Sequence, residues 1–155
     1  MIIKDTITKG LVAGAIASIG QVILNYLWFL TGLTESTDPQ LLARGILLVS
    51  PNQSLTLPQE IVGLVGHFIG GLILIVILTY LLRCLGFDYY LLKGAAFGAF
   101  VWFFHKPFLP YFSHITYTYS VNIALLHLTD HIIWGLIAVY IIRLLSDIKE
   151  ETKVR

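Results

Sequence analysis

Apolar and polar residues fall into long blocks along this chain rather than alternating. Residues 10–34, GLVAGAIASIGQVILNYLWFLTGLT, carry no charged side chain. Residues 59–83 are the most aliphatic stretch, and between Glu60 and Arg83 only His67 titrates near neutral pH. Residues 121–143 are equally long but include His127, Asp130 and His131. Residues 89–106, YYLLKGAAFGAFVWFFHK, are shorter, and Pro107 and Pro110 are expected to prevent simple continuation of a helix. About 20 apolar residues span about 30 Å of hydrocarbon as an α-helix. The pattern therefore predicts an all-α, four-helix transmembrane bundle, one integral membrane domain over residues 1–155.

The intervening segments are of two kinds. Between the first two blocks, Pro39, Pro51 and Pro58 frame QLLARGILLVS, which is too short to cross and predicts an interfacial helix or partly buried loop. Between the last two, PFLPYFSHITYTYS is rich in aromatic residues and reads as an interfacial belt of Phe108, Tyr111, Phe112, Tyr117 and Tyr119.

Composition sharpens the class. The 155 residues are 57% hydrophobic and 12% charged, against about 25% charged in a soluble domain. Too few charges remain to cover a globule, so the expected partner is the lipid bilayer. A net charge of +1 gives no basis for nucleic-acid binding. One cysteine, Cys84, excludes an internal disulfide framework and a cysteine-based metal site.

Basic residues then set direction. Lys4, Lys9, Arg83, Lys93, Arg143, Lys149, Lys153 and Arg155 fall on one side of the four blocks, and Arg44 and Lys106 on the other. The positive-inside rule predicts both termini in the cytoplasm. The outer half then holds Glu60, His67, His105, His114, His127, Asp130 and His131.

Ionisable groups within a membrane are costly and mark functional sites by default. At 1.5 Å per residue, His67 lies about 12 Å into its helix, His127 about 9 Å and His131 about 15 Å, at similar depth. His127 and His131 share a helix face, with Asp130 beside them. Glu60 and His105 are expected at the outer mouth, and Asn25, paired at i, i+4 with Gln21, is placed to join. Four chemistries suit these residues. They suit hydrogen bonds that hold helices together. They suit a proton or ion relay. His127, His131 and His67 suit a metal ion such as zinc or iron. Finally, His67 with His127 or His131 suits bis-histidine haem b, with the nearby glycines against the ring. No HExxH or di-iron spacing singles one out, and no nucleophile elbow surrounds Ser54 or Ser113. Trp28, Trp102 and Trp134 read as packing or interface anchors.

Small residues are expected to bring helices together: Gly10 with Gly14, Ala13 with Ala17, Gly66 with Gly70, and Gly94 with Gly98.

The layout resembles the YqhR-like small four-span proteins of spore-forming bacteria. The resemblance rests on a glycine-rich first span, a loop ending near VSPN, a long aliphatic second span, and LLKGAAFGAFVWFFHKPFLP closed by proline. It implies a bacterial cytoplasmic membrane and carries no functional residue across. The preferred expectation is a non-enzymatic membrane protein that binds or translocates a proton, ion or small ligand, or supports a membrane complex, alone or as a homo-oligomer. The alternative is a metal- or haem-binding protein, including an intramembrane metalloenzyme.

Overall fold

The computed structural model describes residues 3–113 and 120–146, with the side chains of all of these except 106–113. His114, Tyr117 and Tyr119 lie outside the described residues, as do the side chains of Lys106, Phe108, Tyr111 and Phe112. Among the described residues the chain is all-α. The helices are α1 (Thr6–Leu30), α2 (Asp38–Leu47), α3 (Leu57–Leu85), α4 (Tyr90–Ser113) and α5 (Val121–Leu145). Three of them, α1, α3 and α5, are long and apolar enough to cross a membrane.

One sequence expectation fails. α4 runs through Pro107 and Pro110 to Ser113. A proline removes one N–H from the helix ladder and crowds the preceding turn, but apolar helices tolerate it when neighbours absorb the freed carbonyls.

The short second helix begins on a capping box. Thr37 Oγ1 accepts from the Gln40 backbone N–H (3.3 Å), and Gln40 Oε1 accepts from the Thr37 N–H (3.0 Å). Pro39 suits the first turn, where its missing N–H costs nothing. The helix ends at Leu48, which is left-handed (φ 53°). The Arg44 guanidinium secures the following turn by donating to the carbonyls of Ser50 and Gln53, each at 2.7 Å.

The four long helices are antiparallel to their packing neighbours. α4 lies on α5, α5 on α1, and α1 on α3, while α3 and α4 barely touch although they are consecutive. α2 spans between α3 and α4 at the end of the body remote from the chain termini.

Small residues make the close crossings, though not all those expected. A Cβ on Gly10 would meet Val76 Cα at 2.7 Å, and one on Gly14 would meet Leu72 Cα at 3.1 Å. Gly94 faces the Gly135 carbonyl (2.7 Å), and Gly98 is pressed against the His131 carbonyl. Gly66 meets Ile46 and Leu42 of α2, but Gly70 has no atom of the described residues within 4 Å of its Cβ position. The Gly66–Gly70 pair therefore is not one packed face. The interhelical seat on that helix is Gly63, against Pro39 and Ala43, and Gly71, against Ser18.

At the terminal end, Ile3 N–H donates to the Leu145 carbonyl (3.0 Å), Lys9 Nζ to Ser146 Oγ (2.9 Å) and Arg83 to Thr6 Oγ1 (3.1 Å). These contacts clasp α1, α3 and α5 together.

Candidate functional site

The capping box that starts α2 directs Asp38 inward. Its carboxylate is 1% exposed, and its backbone N–H donates to Asn25 Oδ1 of α1 at 2.7 Å. Across from it stands α5. Asp38 Oδ1 lies 3.0 Å from His127 Nδ1, and Oδ2 lies 3.9 Å from His131 Nδ1.

Asp130 is equally buried and differently served. Its Oδ2 accepts from Asn25 Nδ2 (2.9 Å) and its Oδ1 from Trp28 Nε1 (2.6 Å). Asn25 thus uses both ends of its amide, the oxygen on α2 and the nitrogen on α5. That single side chain joins the two aspartates through neutral hydrogen bonds.

His131 adds a fixed orientation. Its Nδ1 lies 2.8 Å from the His127 carbonyl one turn earlier. A carbonyl only accepts, so Nδ1 carries the hydrogen and Nε2 is the nitrogen that gains or loses a proton. The His105 ring of α4 lies beside it, with centroids 6.1 Å apart.

His67 is the outlying member. It sits on the α3 face between Gly63, against α2, and Gly71, against α1. Asp38 is within electrostatic reach, but the one ring neighbour of His67 among the described residues is Phe68, 6.5 Å away. Its Nε2 is buried with no hydrogen-bond partner among the described residues. Glu60 serves α2 from the next helix, accepting from Gln40 Nε2 at 2.9 Å.

The structure therefore brings His127, His131, Asp130 and His105 together with Asn25. His67 lies within electrostatic reach of Asp38, and Glu60 is linked to the group through Gln40 of α2. Asp38 and Trp28 were missed from sequence. The Thr37–Gln40 box did signal a helix start, but an aspartate in a first turn ordinarily faces water.

The glycines of α3 leave little space beside His67: Gly63, Gly66 and Gly71 are covered by α2 and α1, and Gly70 alone is open. Among the described residues no group of three or more His, Cys, Asp or Glu side chains is arranged to hold a metal ion.

No protein-family model, no curated protein and no solved structure matches the chain.

Proposed function

We propose that this is a polytopic membrane protein in which all four long helices cross the bilayer, with both termini in the cytoplasm and α2 in the outer interface. On this reading the group around Asp38 faces outward. It binds or translocates a proton, an ion or a small ligand, or supports a membrane complex through that binding. The lipid bilayer is its first partner, copies of itself are a second, and its place is the cell membrane, by resemblance a bacterial cytoplasmic membrane.

One observation carries the reading. Asp38 and His127, both almost fully buried, face each other at 3.0 Å among helices apolar enough to cross a membrane. Helix cohesion alone is served by neutral amides and hydroxyls at lower desolvation cost. Here two carboxylates and three imidazoles are drawn from α2, α4 and α5. The charge of such a group is set by how many protons it holds.

Two measurements test this. A membrane-impermeant thiol reagent applied to whole cells is expected to modify Ser54→Cys in a Cys84→Ala background and to spare the native Cys84, which is exposed at the opposite end. The reverse pattern would invert the sidedness. In purified protein, Asp130→Asn and His131→Ala are expected to alter a pH-dependent property, such as the pH profile of intrinsic fluorescence, more than they alter folding. Loss of thermal stability with an unchanged pH profile would reduce the group to helix cohesion.

A further inference from the structure

The buried ionisable side chains and the largest buried apolar cluster occupy opposite halves of the helical body among the described residues. Asn25, Asp38, His127, Asp130 and His131 crowd the half that carries α2. From Trp134 to Ile142, about 12 Å along α5, the interior is filled by Ala13, Ala17, Ile75, Leu78 and Val139, all at most 2% exposed. The two buried hydroxyls of that stretch are engaged. Ser18 accepts from Trp134 Nε1 (3.4 Å), and Thr79 donates to the Ile75 carbonyl of its own helix (2.7 Å). Among the described residues a proton or ion moving through this half meets apolar side chains and the neutral Ser18, Gln21 and Thr79 but no ionisable group, which is a steep barrier in a low-dielectric interior.

We infer that the site exchanges protons with the α2 end alone, so that the chain is a proton-responsive binder rather than a conduit, and that α2 is the part that responds. This rests on the proposed reading of the Asp38 group as a proton site.

Among the described residues α2 is held over the site by Asp38 N–H to Asn25, by Gln40 to Glu60, and by the Asp38 carboxylate to His127 and His131. Of these, the carboxylate–imidazole contacts are the ones whose charge depends on an imidazole proton. The groups facing Asp38 are Asn25 from α1, His67 from α3, and His127 and His131 from α5, with His105 of α4 behind His131 and Asp130 reached through Asn25. Protonating an imidazole beside the Asp38 carboxylate converts a neutral contact into an ion pair and draws α2 down. Raising pH through the histidine range removes that attraction, and α2 loosens from Gly63 of α3, where Pro39 and Ala43 are tightly seated.

The test uses the full chain in vesicles. Val49, just beyond α2 and 8% exposed, is replaced by cysteine in a Cys84→Ala background. The rate of thiol modification is followed at equal pH on both sides. Relative to an exposed reference cysteine at Ser54, which carries the intrinsic thiolate dependence of the reagent, modification is expected to slow several-fold from pH 8 to pH 6, and Asp38→Asn and His127→Gln should each flatten that relative dependence. In vesicles clamped with valinomycin and loaded with a pH dye, proton flux is expected to equal that of protein-free vesicles. Flux above that background together with pH-dependent modification would overturn the one-sided site while keeping a proton site. Modification insensitive to pH, without flux, would overturn both. A flat profile in His127→Gln with a retained slope in Asp38→Asn would overturn the role given to Asp38.

Discussion

His127 Nδ1 stands 3.0 Å from Asp38 Oδ1, joining the last helix to a short helix that the chain lays down before its second long one. Both side chains are sealed from solvent, so neither has water as a substitute partner. Removing one member of a buried hydrogen-bonded contact strands the polar atom of the other, which typically costs about 1–3 kcal/mol. Asp38→Leu is therefore expected to lower thermal stability in detergent by an amount in that range. Asp38→Asn, which keeps an oxygen for His127 Nδ1, should lose less. Equal losses would mean that the charge contributes nothing.

Asn25 makes a sharper case. Asn25→Ala leaves Asp130 Oδ2 and the Asp38 N–H without their donor and acceptor, and each buried unsatisfied group costs about 1–3 kcal/mol. Asn25→Asp restores the acceptor for Asp38 N–H but sets a second carboxylate against Asp130, whose Oδ2 lies 2.9 Å from the present amide nitrogen. Like charges in one site oppose each other. Asn25→Asp should thus be less stable than Asn25→Ala at pH 8, and the gap should narrow in acid. Denaturation midpoints of both variants across pH measure it.

The tryptophans offer an internal control. Trp28 Nε1 donates to Asp130 Oδ1, whereas Trp102 Nε1 is buried with no hydrogen-bond partner among the described residues. Trp28→Phe should cost about 1–3 kcal/mol through the stranded carboxylate oxygen. Trp102→Phe removes an unsatisfied N–H and should leave stability unchanged or raised. Thermal unfolding of the two variants side by side decides the matter.

Packing gives a contrast on a larger scale. Gly98→Leu would drive a side chain into the His131 backbone and part α4 from α5, with the site between them. Gly70→Leu meets open space. The first variant should fail to yield a stable monodisperse protein in detergent size-exclusion chromatography, and the second should behave as the parent.

Much of this was legible from residue patterns. Charge-free stretches and long aliphatic runs announced the helices, because hydrocarbon leaves the backbone no other way to satisfy itself. The i, i+4 spacing placed His127 and His131 on one face and Asn25 was placed to join them, with His105 expected at the outer mouth, while similar depth pointed to His67, which is the outlying member. The unread part depended on tertiary placement. Asp38 sits in a segment whose composition suits an exposed interface, and only the docking of α2 on α3 and α4 turns it inward toward Asn25 and His127. The glycines misled for a related reason. Gly66 and Gly70 have the spacing of a packed pair, but the neighbour that covers Gly66 is a ten-residue helix too short to reach Gly70.

The near absence of contact between α3 and α4 has a consequence for biogenesis. As the chain leaves the ribosome, α1, α2 and α3 have one another to pack against, but α4 emerges with no long partner and must wait for α5. Its seat is the stripe Gly135, Val139 and the His131 backbone, which is made last. The carboxylate of Asp38 must wait as long for His127. Maturation is therefore expected in two pieces divided at the turn after Leu85, and synthesis interrupted between them would leave α2 resting over a cleft that α5 has not yet filled.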